Sequence, residues 1–243
     1  MRRLTHPTEL LMRTSDTRPC TPRRALSTAA RLLAVTTMAG MGLVHLIKAD
    51  LDPSWAPISA YALGDHGWVM TLTFLTWSAS IGALALAIGG HRGWLPRIGA
   101  ASLWLAAIGP LLAAIFPSDP PGTRPEDITT TGQVHGTGAL LTDLTLVAAA
   151  LASWHLATRH RNPHTRLLTV LTAAGWLGFL WLGIAMAVYL PDNDGILGPE
   201  TPVGWAHRFL LVSILVWQIA AAHTLNLHIT QRTTQPDRTV THG

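Results

Sequence analysis

Four residues of metal-ligand type, His45, Asp119, His135 and His207, are far apart in the chain but occupy equivalent places in it. His45 stands near the end of one long apolar run, Asp119 just past another, and His135 and His207 open two more. Imidazole nitrogen and carboxylate oxygen are donors that Zn²⁺ accepts, and three protein ligands would leave a position for water. None of the four belongs to a tight motif such as H-x-x-x-H, so the spacing alone does not specify a metal. Asp50, Asp52, Ser59 and Tyr61 lie in the segment after His45, and Arg208 follows His207. All of these are expected at one depth, near one end of the apolar runs. Polarity at loop ends is the ordinary reading of such residues, and a shared site is the functional one.

Asp143 is a different case, because it is the only acid well inside an apolar run. It follows His135 by eight residues and so lies about 12 Å deeper along a helix. A charge at the centre of a bilayer costs about 2.5–3.5 kcal/mol on the gentler insertion scale, and such residues face a bundle interior or a cavity. Pairing with Arg208 would relieve that cost. So would protonation with a hydrogen bond to Thr142, Thr145 or a neighbouring helix.

These residues need elements to position them. The 243-residue chain is 49% hydrophobic and 12% charged, against about 25% charged in soluble domains. Six apolar runs, Ala29–Ile47, Gly67–Ile88, Ile98–Phe116, Val134–Ala157, Leu167–Leu190 and Gly204–Leu227, approach or exceed the roughly 20 residues that cross a hydrocarbon core. Stretches such as "AAGWLGFLWLGIAMAVYL" lack the polar face of a soluble bundle helix. The sequence therefore predicts an all-α, six-helix integral membrane bundle spanning 29–228. A basic leader (1–28) and a tail (229–243), rich in Thr, Arg and Pro, are expected to be disordered and cytoplasmic. With the N-terminus inside, fourteen of the seventeen Lys and Arg fall on the cytoplasmic side, leaving Lys48, Arg124 and Arg208 outside. Both termini are then cytoplasmic and the membrane is the plasma membrane. The net charge of +4 reflects this sorting and implies no nucleic-acid partner. The single cysteine, Cys20, excludes an intrachain disulfide framework and a thiolate metal site.

The connections Lys48–His66, Pro117–Gln133 and Pro191–Val203 are long, whereas those on the other side are short, so successive helices are expected to be antiparallel neighbours. Small residues at Ser78, Gly82 and Ala85, and at Gly175, Gly178 and Gly183, suit close helix packing. Trp55, Trp68, Trp94, Trp154 and Trp205 suit an interfacial aromatic belt. "PISAYALG" reads as a short helical turn begun by Pro57 and ended by Gly64. Trp55, Ile58, Tyr61 and Leu63 are its apolar contacts, and it should lie over one mouth of the bundle.

"DLDPSWAPISAYALGDHGWVM", the "AIFPSDPPG" that closes the third run and the "HG" that opens the fourth together resemble the domain-of-unknown-function family 998. The resemblance covers approximately residues 30–228. It implies a small multi-pass prokaryotic membrane protein and carries no established activity. One departure is visible: His207 precedes Arg208 where such proteins often have an acidic or amide residue.

Three functional classes follow. The first is a membrane-embedded enzyme, either a metal-assisted lipid hydrolase using His45, Asp119, His135 and His207, or a metal-free prenyl or terpene cyclase with Asp143 or Asp119 as proton donor. The second is a haem carrier using His135 and His155 with His207 and His223. Their separations of about 30 and 24 Å along the two helices do not match well. The third is a non-catalytic accessory or transport subunit. No phosphate loop, G-x-S-x-G element or calcium-loop spacing is present. The expectation is an extracytoplasmic-face site for a lipid or other amphipathic ligand, drawn from His45, Asp52, Ser59, Tyr61, Asp119, His135, Asp143, His207 and Arg208.

Overall fold

The computed structural model describes residues 20–89, 93–159 and 163–234. The expectations for 1–19 and 235–243, and for Arg92 and Arg161, lie outside the described residues. Seven helices make up the bundle: α1 Cys20–Ile47, α2 Gly67–Gly89, α3 Trp94–Ile115, α4 Thr130–Thr142, α5 Leu144–Arg159, α6 Pro163–Tyr189 and α7 Gly204–Thr234. α4 and α5 together form one span, so six helical segments are long and apolar enough to cross a membrane. Helix extends past the apolar runs at both ends, taking in 20–28 and 229–234, which composition had assigned to leader and tail.

Each helix packs on its sequence neighbours, and α7 returns to pack on α1, so the spans form a closed ring. α3 packs on both α4 and α5, whereas α6 packs on α5 and α7 without comparable packing on α4. The outer surface carries Leu, Ile, Val and Trp in rows, including Trp68, Trp94, Trp154 and Trp205 of the anticipated belt. So much exposed apolar surface on a helical bundle suits lipid, not water. Buried residues such as Trp217, Ile81, Leu103 and Leu215 fill the centre.

Close approach is concentrated where α3 crosses α4. A Cβ on Gly109 would stand 2.3 Å from the Gly138 carbonyl oxygen and 2.3 Å from Thr142 Oγ1. Of the small residues singled out by sequence, Gly178 meets the α7 backbone at Leu210, and Ser78 donates to the Ala107 carbonyl on α3. Gly183 has open space beside it. Pro110 lies inside α3, where its missing N–H leaves the Ala106 carbonyl without its helical partner.

The fourth span is interrupted at Asp143, which the sequence reading placed within a continuous helix. Two local causes are present. The Thr142 hydroxyl donates back to the Gly138 carbonyl at 2.9 Å, a bond that bends helices. The Leu146 N–H then bonds the Asp143 carbonyl, three residues back, which tightens the turn.

Candidate functional site

Two polar groups lie at the end of the bundle that carries the three long connections. The first is a knot around Arg208, which is only 8% exposed. Its Nε–H donates to His45 Nε2 at 2.8 Å, and Nη1 donates to the carbonyls of Ala56 (2.8 Å) and Gly204 (3.1 Å). Nη2 donates to the Tyr61 hydroxyl at 3.3 Å. Tyr61 is fully buried, donates in turn to the Leu51 carbonyl, and stacks at a tilt on His45 with ring centroids 4.7 Å apart. The Met41 carbonyl can only accept, so His45 donates from Nδ1 at 2.6 Å, which leaves Nε2 as the acceptor for Arg208. Four of the five guanidinium hydrogens are thus committed to neutral partners, and the anticipated Arg208–Asp143 pair is not formed.

The knot is built by the segment after α1. Pro57 is extended and starts the 3-10 helix Ile58–Ala62, and Gly64 adopts φ 65° just beyond it, as the sequence pattern predicts. Ile58 and Tyr61 are buried beneath it. Gly204 opens α7 against this segment: its N–H donates to the Ser54 carbonyl at 2.8 Å, and a Cβ there would stand 2.3 Å from the Pro53 carbonyl oxygen. Lys48 Nζ donates to the Leu63 carbonyl and ties down the far end.

The second group surrounds a cavity of about 510 Å³ between the spans and beneath the loops. Ser59, Asp119, His135, Asp143 and His207 all line it. Aromatic and apolar walls come from Phe74 and Trp77 on α2, Leu182 and Met186 on α6, and Leu210 and Leu211 on α7. Gly136, Ala139 and Leu140 on α4, and Met186 on α6, line the cavity and are also exposed at the outer surface. Packing between α4 and α6 is sparse at this place in the ring.

The polar lining divides by how well it is bonded. Asp119 accepts from the Thr129 N–H (3.0 Å) and hydroxyl (2.8 Å), just before α4 begins, where a carboxylate also meets the positive end of the helix dipole. Gly132 makes this possible, since a Cβ there would stand 2.0 Å from Asp119 Oδ2. His135 donates from Nδ1 to the Phe116 carbonyl at 2.8 Å, holding the end of α3 and leaving Nε2 uncommitted. The side chains of Ser59, Asp143 and His207 have no hydrogen-bond partner among the described residues. Two wall residues hold buried polar atoms that also lack one, Trp77 Nε1 and Ser118 Oγ. Buried polar groups are normally paired, so a wall with this many open positions is suited to water or a ligand.

Asp52 is not brought to either group. It is exposed and accepts the Ser54 N–H at 2.8 Å. That N–H, then the Ser54 hydroxyl, holds its carboxyl below the ordinary value of 3.8, with the Arg208 charge adding less. The metal-ligand candidates also separate, His45 into the knot and the others to the cavity. Among the described residues no three His, Cys, Asp or Glu side chains converge as a metal group. Of the haem candidates, His223 accepts from Arg31 at 3.2 Å and meets His164, far along α7 from His207.

Sequence reasoning missed the cavity walls. Trp77 was the one legible signal, a tryptophan in mid-span where an interfacial role does not apply. Neither a search of curated proteins nor one of solved structures gives a match. The family model described as Protein of unknown function (DUF998) matches residues 29–224, and the chain belongs to that family.

Proposed function

We propose that this protein binds an amphipathic molecule in the cavity, its polar group among Asp143, His135 and His207 and its apolar part against α2, α6 and α7. The observation that carries this reading is that cavity-lining residues on α4 and α6 are exposed where those helices pack sparsely, which gives a partly polar cavity a sideways opening toward lipid. A volume of about 510 Å³ falls within the roughly 300–1,000 Å³ of small-molecule sites. The excess of arginine on the opposite side supports an extracytoplasmic position for the cavity in the cell membrane, with both termini inside. The Arg208 knot is then a structural clasp that holds the 51–62 segment as the roof of the site.

Substitution of Ala139 by Trp, at the opening on α4, tests this. Mass spectrometry of lipids and metabolites that co-purify with the intact protein should find a species that Ala139→Trp loses while the fold survives. Identical co-purifying species in both proteins would sink the proposal.

A second reading, acid–base catalysis on the bound molecule, draws on His207 and Asp143, which line the same cavity and whose side chains have no hydrogen-bond partner among the described residues. Turnover of the co-purified species, abolished by Asp143→Asn, would distinguish catalysis from binding.

A further inference from the structure

We propose that the cavity takes a lipophilic cation, with Asp143 as its counter-charge, an inference that rests on the amphiphile site above and specifies the charge of its ligand. Among the described residues no Lys or Arg lines the cavity, and the ionisable ones that do are Asp119, His135, Asp143 and His207. Asp119 already accepts two hydrogen bonds from Thr129. The Asp143 side chain has no hydrogen-bond or ion-pair partner among the described residues. An unpaired carboxylate in a water-poor span is costly, and a cation brought to it interacts more strongly there than in water.

The nearby positive charge does not favour an anion instead. Arg208 directs its Nε and both Nη groups to His45, Ala56, Gly204 and Tyr61, outside the cavity lining. A phosphate or carboxylate head would meet Asp143 without a guanidinium or ammonium to hold it. The walls suit an organic cation for a second reason. Phe74 and Trp77 present aromatic rings, which attract cations within about 6 Å of the ring centroid. Leu182, Met186 and Leu210 supply apolar surface for the rest of the molecule. The opening between α4 and α6 admits such an ion from the bilayer, where lipophilic cations concentrate.

Equilibrium dialysis of the full-length protein in detergent tests this, with tetraphenylphosphonium as the probe and triphenylmethanol as an uncharged molecule of similar aromatic bulk. The wild-type protein should hold the cation about tenfold more tightly or better, the scale of one ion-pair interaction in a partly desolvated site. Asp143→Asn should lose that preference yet bind triphenylmethanol as before, which also shows that the variant is folded, and Asp143→Glu should keep it. Equal binding of both probes, unaffected by Asp143→Asn, overturns the cation inference and leaves the amphiphile site standing. So does a preference for tetraphenylborate. Binding of neither probe, together with co-purified species unchanged by Ala139→Trp, overturns both.

Discussion

Arg208 and His45 are 163 positions apart, yet the guanidinium Nε–H of one meets the imidazole Nε2 of the other at 2.8 Å. This contact joins the first and last spans and, through the Ala56 carbonyl and Tyr61, fastens the segment between α1 and α2 above them. The residues that looked most like a site by type, a histidine and an arginine at the membrane edge, hold the roof of the cavity. Those with open hydrogen-bonding positions line the cavity itself.

Arg208→Ala should therefore act on the roof before the bundle. Hydrogen bonds to charged groups contribute about 1.5–3 kcal/mol each, so loss of the knot is expected to cost at least about 3 kcal/mol. Arg208→Lys should recover little, because one ammonium cannot reproduce the fork that reaches His45 and Ala56 together. Thermal unfolding and protease cleavage within 51–66 check this. A variant with wild-type cleavage would show that the roof is held otherwise.

Gly109→Ala should be among the most damaging small substitutions in the protein. The new methyl would enter backbone at the α3–α4 crossing, and such overpacking costs about 1–3 kcal/mol. Gly183→Ala provides the control, since nothing lies within 4 Å of its Cβ position and alanine is the better helix former. Melting temperatures in detergent should fall for the first and hold or rise for the second.

Asp52 makes the loop sensitive to acid. Its carboxyl is lowered on folding by the Ser54 N–H and hydroxyl, so its contribution is fully present above 3.8 and is lost as pH falls through the lowered folded value. The fluorescence of the nearby Trp55, followed from about pH 6 to about pH 2, should show a step below the ordinary carboxyl range that Asp52→Ala lacks. The same step in both proteins would assign it to another group.

Gln218 is 1% exposed in α7, and neither end of its amide has a partner among the described residues. Each unsatisfied buried group costs about 1–3 kcal/mol, so Gln218→Met, close in shape and free of polar atoms that demand bonds, should raise the melting temperature. A marked fall would reveal a buried water bonded to the amide.

Much of the architecture was legible from the chain alone, because the signals involved are local. Lipid tolerates only apolar side chains over a span's length, so the six runs emerge from counting. Pro57 and Gly64 limit their own backbone angles, so the turn at Ile58–Ala62 could be anticipated between them. The break at Asp143 is not legible in the chain, because it depends on Thr142 bonding back to Gly138, a geometry that composition does not reveal.

The sequence by itself determined the class of the protein, the number of its spans, and which end carries its acids and long connections, since hydropathy and charge act residue by residue. Only the tertiary structure decided how the polar residues at that end are divided. Closure of the ring from α7 onto α1 takes Arg208, His45 and Tyr61 into a self-satisfied knot. Sparse packing between α4 and α6 leaves Asp143 and His207 lining a cavity. Whether a polar side chain is spent or available depends on which distant groups come within hydrogen-bonding distance, and that is set by packing between helices, not by the order of residues within them.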